Sequence, residues 1–254
     1  MCKLFLRKAI LLFFAMSCAV TARAADRLQI FRAPDSTATG RAVLILPGGG
    51  YRILSMQHEG TDWVPFFHSL GITVAVLGYS MPDGDRNLPV GDALDAMSYL
   101  RTHAADLGVN PAEIGIMGFS AGGHLATVIA TQAPADLRPD FQVLFYPVVS
   151  MMPGLAHRGS HDALLGADAP EPLERAYSSE LNVDSLTPRG ILLLSADDKG
   201  VDPANSISYF EALRNAGVPA SLHIYPSGGH GWGLCDFPWM EAVLDELQMW
   251  LRSF

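Results

Sequence analysis

Ser120 sits in Gly118-Phe119-Ser120-Ala121-Gly122, a G-x-S-x-G pentapeptide with an apolar run before it and a helix-period segment after it. A serine hydroxyl is a poor nucleophile until a base takes its proton, and the base must itself be oriented by an acid. The flanks suit that chemistry. Glycines on either side let strand and helix approach closely, while the hydroxyl stays exposed on a tight turn. The N-terminus of the following helix also places a positive dipole near any negative charge that develops on an attacked carbonyl. Glycine-rich turns containing serine are common, so the pentapeptide gains its weight from these flanks and from the partners below.

Where a strand, turn and helix present a nucleophile in this way, the chain order runs serine, then acid, then histidine. His230 fits the last place, in the loop Ser227-Gly228-Gly229-His230-Gly231 after the final strand pattern. His223 lies within that strand pattern and reads as structural. His157 and His161 precede the expected acid; four residues apart, they could share a metal on a helix, but no third ligand is evident nearby. Neither a metal nor another cofactor is therefore expected. The acid should follow the strand Ile191–Leu194, where Asp197, Asp198 and Asp202 compete.

Negative charge on the carbonyl oxygen needs N–H donors already in place. Pro47-Gly48-Gly49-Gly50-Tyr51 can turn backbone amides inward, which points to the N–H groups of Gly49 and Gly50, together with that of Ala121 after the nucleophile. The alternative is a plain turn or a phosphate loop. Neither G-x-x-x-x-G-K-[ST] nor G-x-G-x-x-G occurs here, which disfavours a nucleotide.

Short apolar runs alternating with helix-period segments must position these residues, as expected for βαβ units around a buried sheet. Strands are expected at Val43–Leu46, Val74–Leu77, Ile114–Met117, Val143–Tyr146, Ile191–Leu194 and Leu222–Tyr225. Helices are expected at Pro89–Leu107, Gly122–Thr131, Asn205–Asn215 and Pro238–Leu251. The fold class is α/β, with a mostly parallel central sheet and helices on both faces. The stretch Val149–Pro188 interrupts the rhythm, being rich in Pro, Gly and Ser with only short helical patches. A loop of that size in a compact domain usually forms a lid or a binding wall.

The first two dozen residues stand apart. Lys3, Arg7 and Lys8 precede an apolar run from Ala9 to Val20, too short to span a bilayer comfortably, and Ala22-Arg23-Ala24 offers small residues at cleavage positions. We expect a signal peptide over 1–24 and a single domain over 25–254, secreted or periplasmic. Cleavage removes Cys2 and Cys18, leaving Cys235 without an intramolecular disulfide partner. It also leaves 13 basic against 26 acidic residues, a net charge of −13. That balance argues against nucleic acid or an anionic membrane as partner and is compatible with a small or oligosaccharide ester. With 49% hydrophobic and 17% charged residues, 254 residues suit one α/β domain with a sizeable core.

PGGGY, GFSAGGHLA, YPVVSM, HRGSHDALLG, YSSELNV, SADDKGVDPANS and HIYPSGGHGWGL follow one another over nearly the whole chain after residue 24. In these motifs the chain resembles the bacterial acetyl xylan esterase-like α/β-hydrolases, relatives of the wider esterase and prolyl-oligopeptidase groups. The resemblance implies the α/β-hydrolase fold and removal of acetyl groups from xylan or its oligosaccharides through an acyl-serine, without a metal. It favours Asp198 as the acid, because relatives carry an aspartate followed by two residues and Val, here Asp198-Lys199-Gly200-Val201. Asp197 is the runner-up, and the loser should brace the loop. HRGSHDALLG should help wall the site. The chain departs from relatives at Tyr79-Ser80, where Tyr-Arg is usual, and at Asp202, where a proline is expected. Tyr51 and Trp232 are candidates for stacking on a sugar ring, with ordinary packing the competing reading.

Three further readings compete. A general short-chain carboxylesterase would use the same residues. A prolyl-oligopeptidase-like peptidase suits the paired aspartates and the Gly-Gly-His-Gly segment, but 254 residues leave no room for the extra domain such enzymes generally carry. A non-catalytic binding module would show decay at the triad positions, and all of them hold competent residues.

Overall fold

A computed structural model describes residues 26–254, so the expected signal peptide lies outside the described residues. Seven strands form one sheet: β1 (Leu28–Phe31), β2 (Ala42–Leu46), β3 (Thr73–Leu77), β4 (Ile114–Phe119), β5 (Phe141–Phe145), β6 (Arg189–Ser195) and β7 (Ala220–Tyr225), in the order β1-β3-β2-β4-β5-β6-β7. Only β1 runs antiparallel to its neighbour; the other five pairings are parallel. Strands buried on both faces must be apolar throughout. Ala-Val-Leu-Ile-Leu in β2 is such a run, with every residue buried.

The helices are α1 (Val64–Ser69), α2 (Asn87–Thr102), α3 (Ala104–Leu107), α4 (Ser120–Gln132), α5 (Arg158–Leu165), α6 (Glu171–Ala176), α7 (Ala204–Asn215) and α8 (Met240–Leu251). Alternating strand residues point to opposite faces, and two apolar clusters divide along that alternation. Leu44, Ile116, Leu144 and Leu192 pack with Ala96 and Met97 of α2, Leu125 and Ile129 of α4, and Leu213 of α7. Val43, Met117, Val143 and Leu193 pack with Phe67 of α1 and with Val243, Leu247 and Leu251 of α8. Helices thus cover both faces of a mostly parallel sheet, as expected.

Two elements were not legible from pattern. β1 is four residues at a sheet edge with only Leu28 buried, so it lacks the apolar run of a central strand. α1 is only six residues long, and Trp63 just before it packs on the distant rings of Phe119 and Phe145, with Phe67 of α1 against Trp63 in turn. The helix expected over Pro89–Leu107 starts at Asn87 and breaks at His103 into α2 and α3. The expected loop from Val149 to Pro188 contains α5, α6 and a 3-10 turn at Ser179–Leu181.

Candidate active site

The loops that leave β2, β4, β6 and β7 at their C-terminal ends bring one residue set together, the end of a parallel sheet where ligands bind in open α/β folds. Ser120 is the first residue after β4 and the first of α4, with φ +51°. A non-glycine residue held there costs about 1–3 kcal/mol and persists only because its surroundings over-determine it. The surroundings do so through close approach. A Cβ on Gly118 would stand 2.4 Å from the Gly122 carbonyl oxygen, and one on Gly122 only 2.1 Å from that of Leu46. Glycine is therefore required at both flanks of the pentapeptide.

His230 Nε2 lies 2.8 Å from Ser120 Oγ, and His230 Nδ1 lies 2.7 Å from Asp198 Oδ2. The other Asp198 oxygen accepts the N–H groups of Gly200 and Val201 at 2.8 and 2.9 Å, which fixes the carboxylate. Asp197 turns the other way: its Oδ1 accepts the Gly229 N–H at 2.9 Å, and that bond holds its carboxyl below the usual range. Asp202 accepts the Ala204 N–H at the start of α7. Of the three competing aspartates, the structure places Asp198 on the histidine and gives Asp197 the bracing contact.

Gly49 and Gly50 line a cavity of about 230 Å³ together with Ser55, His58, Glu59, Ser120, His157 and His230. Both glycines have positive φ, +137° and +66°. Neither N–H bonds to another described residue, whereas the Gly48 N–H is held by Glu59 Oε2 at 2.9 Å. Ala121 lies in the first turn of α4, where N–H groups have no intrahelical acceptor. The Pro47 carbonyl accepts a 2.7 Å bond from the buried Tyr79 hydroxyl, anchoring the start of this loop.

Tyr51 and Trp232, expected as stacking surfaces, are corrected by the structure. Tyr51 is 2% exposed, and its hydroxyl meets His124 Nδ1 at 2.8 Å. His124 Nε2 lies 2.7 Å from the Tyr177 carbonyl, which can only accept, so Nδ1 accepts from Tyr51. Trp232 stacks on Phe237 at 4.1 Å, packs edge-on against Phe145 and Tyr146, and donates to Ser195 Oγ. Both aromatic faces are occupied by protein and are closed to a sugar.

The two histidines of the interrupting stretch part company. His157 caps α5, its Nδ1 within reach of the Ser160 N–H and Oγ, and it walls the cavity, as the resemblance implies for this segment. Burial and the nearby His230 lower its pKa. His161 is buried between Asp162 Oδ1 and Glu174 Oε1, each at 2.9 Å. His223 pairs with Glu246 at 3.5 Å. Sequence reasoning passed over Glu59 and Tyr146. Tyr146 follows β5 at the same end of the sheet, a positional signal that could have found it; Glu59 has no comparable signal.

This arrangement can move a proton from Ser120 Oγ to His230 Nε2, hold the imidazole by Asp198, and offer N–H groups to an oxyanion. The family model for the alpha/beta hydrolase fold matches residues 43–234, and the chain belongs to that family. Within it, the chain is 43% identical to the acetylxylan esterase of Xylanibacter ruminicola over 220 residues, 85% of this chain and 46% of that protein. It thus spans under half the length of that curated relative. It is 30% identical to the ethyl acetate hydrolase of Pseudomonas putida, over 86% of this chain and 73% of that one. Among solved structures, the acetyl ester-xyloside bifunctional hydrolase of Caldicellulosiruptor lactoaceticus superposes with a TM-score of 0.83 at 35% identity, covering 89% and 87% of the two chains.

Proposed function

We propose that this chain is an exported serine esterase that removes acetyl groups from xylan or xylo-oligosaccharides. The hydrogen-bonded series Ser120–His230–Asp198, beside the Gly49 and Gly50 N–H groups that bond no other described residue, carries the ester-hydrolase reading. His230 Nε2 takes the Ser120 proton as Oγ bonds to the ester carbonyl carbon, and the N–H groups of Gly49, Gly50 and Ala121 hold the oxyanion. Collapse breaks the bond to the alkoxy oxygen, which receives the proton from His230 and leaves as the sugar alcohol. Water then gives a proton to His230 and attacks the acyl carbon, releasing acetate and restoring Ser120.

The acetylated-sugar substrate is supported by the similarity to the Xylanibacter acetylxylan esterase and the Caldicellulosiruptor acetyl ester-xyloside hydrolase. A cavity of about 230 Å³ is small beside ordinary ligand pockets and suits a short acyl group. Export is supported by the basic and apolar pattern of residues 1–24, and a mature chain with a net charge of −13 is suited to a neutral polymer. A general short-chain carboxylesterase is the second reading, favoured by the similarity to the ethyl acetate hydrolase.

The test is acetate release from acetylated xylo-oligosaccharides and from ethyl and aryl acetates, with Ser120→Ala as control. Release from the sugar esters at the higher kcat/KM supports the carbohydrate reading. Release from simple acetates alone replaces it with the second reading, and release by neither overturns both.

A further inference from the structure

The oxyanion glycines and the base stand on loops that leave different strands, β2 and β7, yet catalysis requires them to keep one geometry to about 0.5 Å. Main-chain bonds of the sheet end before either loop begins. Something beyond the sheet must therefore set Gly49 and Gly50 relative to His230.

Glu59 is 3% exposed and stands near the far end of the loop that leaves β2, just before a 3-10 turn at Thr61–Trp63. Its Oε2 accepts the Gly48 N–H at 2.9 Å, immediately before the oxyanion glycines. Its Oε1 accepts the Tyr146 hydroxyl at 2.8 Å, and Tyr146 Oη in turn accepts the Gly233 N–H at 2.7 Å, three residues past His230. The Tyr146 ring meets the His230 imidazole edge-on, with centroids 4.8 Å apart. The neighbouring main chain repeats the tie, as the Leu234 N–H donates to the His58 carbonyl at 2.8 Å. Tyr146 itself adopts φ +36° at the end of β5, a costly conformation for a bulky residue.

Every donor in this series points toward one carboxylate: Gly233 N–H to Tyr146 Oη, Tyr146 O–H to Glu59 Oε1, Gly48 N–H to Glu59 Oε2. A carboxylate accepts on both oxygens and donates on neither, whereas an amide in its place must turn an N–H₂ toward one of these donors. Burial and the adjacent Glu59 push the Tyr146 pKa well up, so its hydroxyl keeps the proton it donates. Unsatisfied groups in such a network are costly, which makes its geometry sharp.

We propose that Glu59 and Tyr146 act as one positioning pair that sets the oxyanion loop and the His230 loop in register. Neither hydrogen-bonds Ser120 or His230: Glu59 acts through the Gly48 N–H, and Tyr146 through the Gly233 N–H and its edge-on packing on the His230 ring. The inference rests on Ser120 and His230 being the reacting pair, and is independent of which ester is cleaved.

The experiment compares the full chain with Tyr146→Phe, Glu59→Gln, the double variant and Tyr209→Phe. Tyr209 is an equally buried tyrosine whose hydroxyl bonds Gln142 Oε1 at 3.0 Å within the core, so it controls for loss of a buried hydroxyl alone. The primary readout is phosphonylation of Ser120 by a neutral aryl phosphonate, with maximal rate and half-saturating concentration measured separately and normalised to titrated sites. The maximal rate should fall about 10- to 100-fold in Tyr146→Phe and in Glu59→Gln, since misplacement near 1 Å can cost that much. The half-saturating concentration should stay within about threefold, and the double variant should lose little beyond the worse single, as residues acting as a unit do. Tyr209→Phe should melt lower at an unchanged rate per site.

Rates per site at the parental level in both single variants would overturn the proposal. Multiplicative losses in the double variant would do the same, as would an equal loss in Tyr209→Phe. If Tyr146→Phe fails to fold, the near-isosteric Glu59→Gln decides by the same rate and concentration split. A parent chain that is phosphonylated but releases no acetate removes the carbohydrate-esterase reading and leaves this comparison intact.

Discussion

Asp198 and His230 meet at 2.7 Å across 32 residues of sequence, while Asp197, its immediate neighbour, points to the Gly229 N–H of the same histidine loop. Adjacent aspartates thus divide the work, one on the imidazole and one on the main chain that carries it. Two backbone N–H bonds to Asp198 Oδ1 leave its other oxygen directed at Nδ1. Replacing Asp198 by Asn would turn a donor or a poorer acceptor toward the ring and favour the wrong tautomer. Asp198→Asn should lower kcat by about 10⁴ with KM little changed, and Asp197→Asn by no more than about tenfold. Steady-state kinetics on an acetate ester check both.

Ser120→Ala should abolish acyl transfer down to a residual rate. It leaves the strained backbone and both flanking glycines in place, so the melting temperature should stay within a few degrees. Gly122→Ala should behave in the opposite sense. A Cβ 2.1 Å from the Leu46 carbonyl cannot be absorbed by a flexible side chain, and a loss above about 4 kcal/mol is expected from such an overpacked site. Chemical denaturation of the two variants separates the outcomes.

The Tyr51–His124 contact yields a stability test of Tyr51 as a core residue. Tyr51→Phe leaves His124 Nδ1 buried without its donor, at a cost of about 1–3 kcal/mol. Its kcat/KM on acetylated oligosaccharide should stay within about threefold, because the ring lies behind the loop and not in the cavity. A large rise in KM with unchanged stability would restore Tyr51 to the substrate.

Burial holds the His124 imidazole down to about 4, from an ordinary 6.5. Between those values the unfolded chain binds a proton that the folded chain does not. Stability therefore falls as pH falls through that window, by about 3 kcal/mol in all, and this contribution is fully present above the upper value. His124→Gln should be less stable than the parent at neutral pH yet show a shallower loss between pH 6.5 and 4. Melting temperature against pH, for parent and variant, gives the comparison.

The reach of sequence reasoning follows the range of the forces concerned. Apolar runs identified the five central strands, because parallel strands buried on both faces must be apolar whatever they pair with, and β7, at the other edge and only partly buried, was still marked by Leu222 to Tyr225. β1, short and half-wet at the edge, has no such mark. Ser120 and its flanking glycines were legible because the pentapeptide is a local pattern, although only the demand on Gly118 is met within it and that on Gly122 comes from the distant Leu46 carbonyl. His230 was legible through chain order, and Asp198 only through resemblance to relatives, since Asp197 and Asp202 satisfy the same local pattern.

What tertiary structure alone decided is which polar groups meet. Glu59 and Tyr146 lie 87 residues apart and share no periodicity or motif that links them. Tyr51 and Trp232 carry the residue types of a sugar platform, yet packing against His124 and Phe237 turns them into core. Local spacing specifies which elements form and where a nucleophile can stand. Partner choice among buried polar groups depends on how strands far apart in the chain are laid side by side, and only the folded sheet supplies that.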